Sequence, residues 1–248
     1  MIIRGKRGQL AIFIIIAILI VGAILILLLF PEIRTKITGG GEVSPQAFLK
    51  ACLEPEIKAN IDALSSKGGY INPEGVLTYQ GEKIKYLCYT SEYYKTCSVQ
   101  EPMIKNRFEK ELEKSIKAQS TSCMDELKAD LEGRGYEVSI GKTDFNSEVI
   151  PGKIKLIFTA PITLTKAGES QKFDRLETSI ASEMYDLLFT AQSIVDFESA
   201  YGDSEITQYM QYYPDLKIEK LKLSDGSKIY KITNVITKES FRFASRSL

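Results

Sequence analysis

One uninterrupted apolar segment constrains this chain more than any other feature. Between Leu10 and Phe30, Gly22 is the only residue outside the apolar set, and no charged or amide side chain interrupts the run. At about 1.5 Å per residue, a helix of this length spans roughly 30 Å, the thickness of a bilayer core. Pro31 follows, and it cannot continue a helix because it lacks a backbone N–H. The segment therefore predicts a transmembrane helix over residues 10–30.

The charges that flank this segment predict its orientation. Arg4, Lys6 and Arg7 precede it without an acidic residue, whereas acidic and basic residues are mixed after it. Lysine and arginine are retained on the cytoplasmic side of membrane helices, so we expect residues 1–9 in the cytoplasm and the C-terminal domain outside. A cleaved secretory signal peptide is disfavoured, because its apolar region is limited to about 15 residues and ends at a small-residue cleavage site.

The residues before the apolar run resemble a known processing motif. Arg7, Gly8 and Gln9 lead directly into Leu10. This arrangement is similar to the class III signal peptide of archaeal type IV pilin-like proteins. The resemblance implies that a membrane-embedded prepilin peptidase cuts between Gly8 and Gln9, and that the mature subunits self-assemble into a surface filament through Leu10–Phe30. An uncleaved single-pass membrane protein with an extracytoplasmic partner-binding domain is the alternative.

The remaining sequence predicts an α+β fold, in which the N-terminal transmembrane helix is followed by a mixed extracytoplasmic domain of helices and antiparallel hairpins. Residues 31–44 contain three consecutive glycines and form a flexible linker. We divide the rest near Gly133 into two segments. Residues 45–133 form a disulfide-bearing segment of helices and a hairpin, and residues 134–248 form an α+β segment with a long central helix.

Four helices are predicted from apolar side chains at helical spacing and from the residues at their boundaries. Asp174 and Glu177 resemble a capping box, which places the start of the third helix at Asp174. The serines and threonine at 120–122 make a break in the second helix an open alternative. The first predicted helix begins at Pro45 and ends at Gly68, and the second begins at Pro102 and ends at Gly133. The third begins at Asp174 and continues through Val195, and the fourth covers Glu205–Tyr212.

The strands are predicted from short β-branched and aromatic runs bounded by turn residues. Pro161 lies within one of these runs, so that strand is predicted to bend or to lie at a sheet edge. The predicted strands are a hairpin of Gly75–Tyr79 and Lys83–Tyr89, single strands at Tyr136–Ile140 and Lys153–Thr165, a hairpin of Leu216–Leu223 and Lys228–Asn234, and a last strand at Ser240–Ala244.

All four cysteines fall in the first globular segment, outside the apolar run. An even number in an oxidising compartment indicates disulfides, with three ways to pair them. We favour Cys88–Cys97, which closes a tyrosine-rich loop, and Cys52–Cys123, which ties two predicted helices together. Buried free thiols are the alternative. A zinc site is disfavoured, because no two cysteine pairs occur at the short spacing that such sites use.

Tyrosine clusters are the candidate interaction sites. Tyr89, Tyr93 and Tyr94 lie within the Cys88–Cys97 loop, and tyrosine supplies large contact area at low entropic cost. Packing of these rings under their own loop is the alternative interpretation. The same two interpretations apply to a second cluster, Tyr209, Tyr212 and Tyr213. Five lysines of the last predicted hairpin are expected on a solvated strand surface: Lys217, Lys220, Lys222, Lys228 and Lys231.

Charge and composition limit the function. The chain carries 32 basic and 32 acidic residues and no histidine. Neutrality argues against a nucleic-acid partner, and the missing histidine excludes Ser-His-Asp and Cys-His catalysis and histidine-ligated zinc. We expect no enzyme activity, no cofactor and no metal; the expected partners are the lipid bilayer, further subunits and the prepilin peptidase if the chain is cleaved. A membrane-anchored enzyme using carboxylates is the third interpretation.

Overall fold

The computed structural model describes residues 44–247 and the single position Ile16. The predicted processing site (Arg7, Gly8 and Gln9), the apolar run and the linker up to residue 43 therefore lie outside the described residues, apart from that one position. Among the described residues, no helix is long and apolar enough to span a membrane. Residues 45–248 cluster as one compact unit.

The unit is an α+β fold, as predicted, with four helices and ten strands among residues 44–247. In chain order the helices are α1 (Pro45–Ser65), α2 (Ile104–Gly133), α3 (Met184–Tyr201) and α4 (Thr207–Tyr212). The strands are β1 (Val76–Tyr79), β2 (Glu82–Tyr89), β3 (Ser98–Val99), β4 (Glu137–Ile140), β5 (Asp144–Ile150), β6 (Lys153–Lys166), β7 (Glu169–Ala181), β8 (Leu216–Lys222), β9 (Ser227–Asn234) and β10 (Ser240–Arg246).

Two sheets share the strands. The larger has the order β1-β2-β10-β9-β8, with β3 added beside β2. Both predicted hairpins are confirmed as antiparallel pairs in this sheet. The pairing of β2 with β10 is parallel and joins the first half of the described chain to the second. The smaller sheet is antiparallel, with β6 between β7 on one side and β4 and β5 on the other.

The first two helices begin and end close to the predicted residues. Helix α1 starts at Pro45, and two glycines with positive φ, Gly68 and Gly69, follow its last turn. Its buried side chains are spaced by three or four residues: Leu49, Leu53, Ile57, Ile61 and Leu64. Helix α2 continues without a break through Ser120 and Thr121, and both hydroxyls donate to the carbonyl oxygen of Lys117 in the preceding turn. The alternative of a broken second helix is wrong.

The predicted capping box at Asp174 and Glu177 is wrong. Both residues lie in strand β7, and helix α3 begins only at Met184. Ile180 belongs to the strand, whereas Leu188 and Val195 lie on the buried side of the helix as predicted. The carboxylate of Glu239 receives the backbone N–H of Glu183 at 2.6 Å, so an acidic residue distant in sequence occupies the helix start instead.

The strand that contains Pro161 bends, as predicted, but it does not lie at an edge. Strand β6 is paired on both sides, and its register with β7 shifts between Thr159 and Ile162. At this bulge the carbonyl oxygen of Pro161 accepts the N–H of Gly141 at 2.9 Å. A Cβ at position 141 would lie 2.5 Å from the proline ring, so only glycine fits this approach.

The helices pack on the sheets, and both predicted disulfides are present. Helix α1 packs against α2 and β7, α2 also contacts β4, β5 and α3, and α3 contacts β2, β9 and β10. Cys52 and Cys123 join α1 to α2 with a Cα–Cα distance of 6.0 Å. Cys88 and Cys97 join β2 to the following loop, with a Cα–Cα distance of 5.3 Å. Among the described residues no cysteine is free, so the alternative of buried thiols is wrong.

Candidate functional site

Helix α3 exposes aromatic side chains on the side that faces away from the core. Tyr185 and Phe189 are four residues apart, as are Phe197 and Tyr201, so each pair lies side by side on successive turns. Phe189 is 65% exposed and Tyr201 72%. The rings contact one another in pairs, with centroids 6.1 Å apart for Tyr185 and Phe189 and 4.7 Å apart for Phe197 and Tyr201. The outer side of the helix therefore carries two aromatic pairs beside polar side chains such as Asp186 and Asp196.

Helix α4 extends this surface. Tyr209, Tyr212 and Tyr213 line two grooves of about 350 Å³ each. Phe189 lines one of the grooves and Phe197 the other, so the tyrosines stand between the two ends of the helix α3 surface. Tyr209 is held by a hydrogen bond between its hydroxyl and that of Ser193, whereas Tyr212 is 81% exposed. We call this surface of α3 and α4 the aromatic face.

Sequence reasoning found part of the aromatic face. The sequence indicates Tyr209, Tyr212 and Tyr213 as a candidate cluster, and Tyr212 and Tyr213 are exposed. It does not single out the aromatic residues of α3, because the buried stripe alone predicts that helix. Their spacing was visible in the sequence: two aromatic pairs, each separated by four residues, lie beside the buried stripe. Clustered exposed apolar side chains of this kind are typical of binding regions.

The tyrosine loop between Cys88 and Cys97 is only partly exposed. Tyr93 and Tyr94 are 73% and 91% exposed, while the Tyr89 ring packs 5.0 Å from that of Tyr86. The guanidinium of Arg246 lies over the rings of Tyr89 and Tyr93 and donates to a carbonyl oxygen of the same loop. The predicted role of Tyr89, Tyr93 and Tyr94 in binding a partner stays a prediction.

Beneath helix α3 lies a sealed polar cluster that centres on the carboxylate of Glu198. This residue is fully buried in the last turn of the helix. One carboxylate oxygen accepts hydrogen bonds from the hydroxyl of Tyr230 and from the N–H of Ser204. The other accepts from Lys228 at 3.0 Å and from the hydroxyl of Ser245 at 3.2 Å. Burial and the neighbouring carboxylate raise the pKa of Tyr230, so its hydroxyl remains a donor.

The cluster corrects the expected position of the hairpin lysines. Lys228 is buried, with 4% of its side chain exposed, and also donates to the carbonyl oxygen of Gly202. Asp203 is half exposed to solvent. Its carboxylate oxygens lie 2.9 Å from the Nζ of Lys220, 2.6 Å from the Nζ of Lys222 and 3.4 Å from the Nζ of Lys228. Three of the five lysines therefore converge on one loop. Of these, Lys220 and Lys228 depart from the expected solvated surface, whereas 58% of the Lys222 side chain is exposed, as expected. Lys217 and Lys231 are exposed as expected.

The convergence of lysines on Asp203 predicts a pH dependence of stability. Burial would raise the pKa of this carboxyl, but the hydrogen bonds from Lys222 and Lys220 and the charge of Lys228 outweigh it and lower the pKa from 3.8 to about 2. A carboxyl with a lowered folded-state pKa stabilises the fold above its unfolded pKa, and this contribution is lost as the pH falls through about 2. We expect Asp203→Asn to flatten the loss of stability on acidification below pH 3.8.

The measurement is urea unfolding of the two proteins at a series of acidic pH values. Asp215→Asn is the matched control, because Asp215 is also exposed and no ion pair among the described residues includes it. An Asp203→Asn curve parallel to that of the parent protein over this range would contradict the assignment.

The Glu198 cluster has a structural role, since none of its central groups is open to a substrate. Within residues 44–247, no group of three or more histidine, cysteine or acidic side chains is placed to hold a metal ion. The aromatic face and the exposed tyrosines of the Cys88–Cys97 loop, by contrast, are open to solvent. Comparison of the chain with protein-family models, curated proteins and solved structures gave no match.

Proposed function

We propose that this chain is a membrane-anchored extracytoplasmic structural protein, similar to a type IV pilin-like filament subunit, that assembles through Leu10–Phe30. The observation that carries the proposal is the sequence Arg7-Gly8-Gln9 directly before the apolar run. The basic residues hold the junction at the cytoplasmic surface, and glycine lets an extended backbone enter a protease site. The apolar run then remains as the anchor or the filament core.

The properties of the folded unit support this role. The two disulfides fit an oxidising compartment outside the cytoplasm. The aromatic face leaves a large apolar surface uncovered in a single copy, as expected of a subunit that contacts further proteins. The alternative remains an uncleaved single-pass protein, whose outer domain binds partners in the envelope.

Processing is tested on the full chain in archaeal membranes that contain a prepilin peptidase. We expect the mature protein to begin at Gln9, as measured by N-terminal sequencing and intact mass. Gly8→Val should block cleavage because the side chain obstructs the extended backbone, whereas Gly5→Val, three residues upstream, should leave it intact. Imaging of surface material then shows whether the processed protein forms filaments.

A parent chain that retains Met1 under these conditions would reject the pilin-like function and leave the uncleaved anchor. Equal cleavage of the Gly5→Val and Gly8→Val chains would also contradict the assigned site.

A further inference from the structure

The aromatic face is strongly acidic. No lysine or arginine occurs between Arg175 and Lys217, a stretch that includes all of α3 and α4. Four exposed carboxylates belong to the same stretch, and among the described residues none of them is in an ion pair: Asp186, Asp196, Glu205 and Asp215. Three of them line the two grooves beside the tyrosines. The surface thus combines exposed rings with four carboxylates that are outside any ion pair of the described residues.

A second groove of the same unit has the opposite character. It lies between helix α2 and the loop that joins β4 to β5, with a volume of about 750 Å³. Five lysines line it, all of them exposed: Lys110, Lys114, Lys117, Lys128 and Lys142. Only Lys128 has an ion-pair partner among the described residues, at 3.9 Å. We call this surface the lysine groove.

The carboxylates in the lysine groove offset its positive charge only in part. Glu113 is engaged by the backbone N–H of Ser147 at 2.7 Å, and Asp144 receives the N–H of Phe145 at 3.1 Å. Asp125 is the third acidic residue of the lining, against five lysines. The groove therefore retains a net positive charge and offers several ammonium groups to a partner.

We propose that the acidic aromatic face of one copy binds the lysine groove of a second copy. Complementary charge favours this encounter, and lysines placed over tyrosine rings add cation–π attraction. Pairing of two aromatic faces would bring like charges together, and an anionic membrane surface would repel the same carboxylates. The two surfaces share no lining residue.

Because the two surfaces differ, the contact is head-to-tail. Such a heterologous contact repeats from copy to copy unless the rotation happens to close a ring. It deepens the proposed filament function by naming a contact between the folded units, and it rests on that function only in requiring many copies at one membrane. Assembly through Leu10–Phe30 does not depend on it.

The test is a charge swap in the full chain, purified in a non-ionic detergent. One variant carries Asp186→Lys and Asp196→Lys on the aromatic face, and the other carries Lys114→Glu and Lys117→Glu in the lysine groove. Sedimentation velocity at low ionic strength should show association of the parent protein that salt weakens. Each variant alone should associate roughly 100-fold more weakly, because like charges then meet. An equimolar mixture of the two should regain association, because every contact in it is again between opposite charges.

One control variant, one further test variant and a folding measurement complete the experiment. Lys83→Glu combined with Lys172→Glu reverses two exposed lysines outside both surfaces and should associate like the parent. Tyr212→Ala removes an exposed ring without changing charge and should weaken association roughly tenfold. Thermal unfolding shows whether each variant is folded.

A parent that stays monomeric, variants that associate like it, or a mixture that does not recover would each overturn the proposal. Association that charge reversal leaves unchanged would be assigned to Leu10–Phe30. That result would contradict the proposed head-to-tail contact but not the proposed filament function. Failure of cleavage at Gly8, by contrast, would contradict the filament function but not the head-to-tail contact.

Discussion

Replacing Lys228 with methionine is expected to lower the free energy of unfolding by about 3–5 kcal/mol. The substitution leaves the fully buried carboxylate of Glu198 without its cationic partner. The remaining donors, from Tyr230, Ser204 and Ser245, are not charged and cannot replace the ammonium group. Urea unfolding of the disulfide-intact protein measures the effect.

Lys222→Met is the matched control. This lysine also bonds to Asp203, but 58% of its side chain is exposed, so its loss should cost at most about 1 kcal/mol. A second comparison uses Lys228→Met together with Glu198→Gln, which removes both charges and keeps an acceptor for Tyr230. The double variant should be more stable than Lys228→Met alone. Equal instability of the two would show that the ion pair is not the source of the effect.

Removing the Cys52–Cys123 bond by replacing both residues with alanine is expected to lower the free energy of unfolding by about 4 kcal/mol. The bond closes a loop with a sequence separation of 71, and the entropy of the unfolded chain rises when that constraint is lost. In the fold, the bond also fixes helix α1 against α2. Guanidinium unfolding of the double variant measures the change.

The second disulfide provides the comparison. The Cys88–Cys97 loop has a separation of only 9, so the same entropy relation gives about 2.6 kcal/mol for its removal. We expect the free energy of unfolding to fall more when the bond of the longer loop is removed. This decrease should persist when methionine or serine replaces Cys52, because the side chain there is only half-buried. A loss below about 2 kcal/mol for the Cys52–Cys123 variant would contradict the loop-closure argument.

The elements with strong local signals were predicted well. Helices α1 and α2 carry regular apolar spacing and clear boundary residues, and the hairpin turn at Gln80 and Gly81 has the positive φ angles that such turns need. The disulfides followed from counting cysteines and from the position of Cys52 and Cys123 on predicted helices. The helix and turn inferences depend only on neighbours in sequence.

The missed elements lack such signals. Strand β5 was not predicted, because one of its inward side chains is Ser147, whose hydroxyl and N–H bond to residues of helix α2. The first half of β7 is exposed on both sides, so no alternation marks it as a strand. The ion pair of Glu198 and Lys228 joins a helix to a strand 30 positions away, and nothing local distinguishes this lysine from its exposed neighbours.

The place of β10 in the larger sheet determines when that sheet can be completed. Although β10 is the last described strand in sequence, it lies between β2 and β9. During synthesis, one edge of β2 and one edge of β9 therefore remain unpaired until residues 240–246 have left the ribosome. The backbone N–H of Cys97 likewise finds its acceptor only on Ser247. During this interval the nascent domain presents open strand edges that favour mispairing between chains, and a chaperone could bind these edges before they are paired.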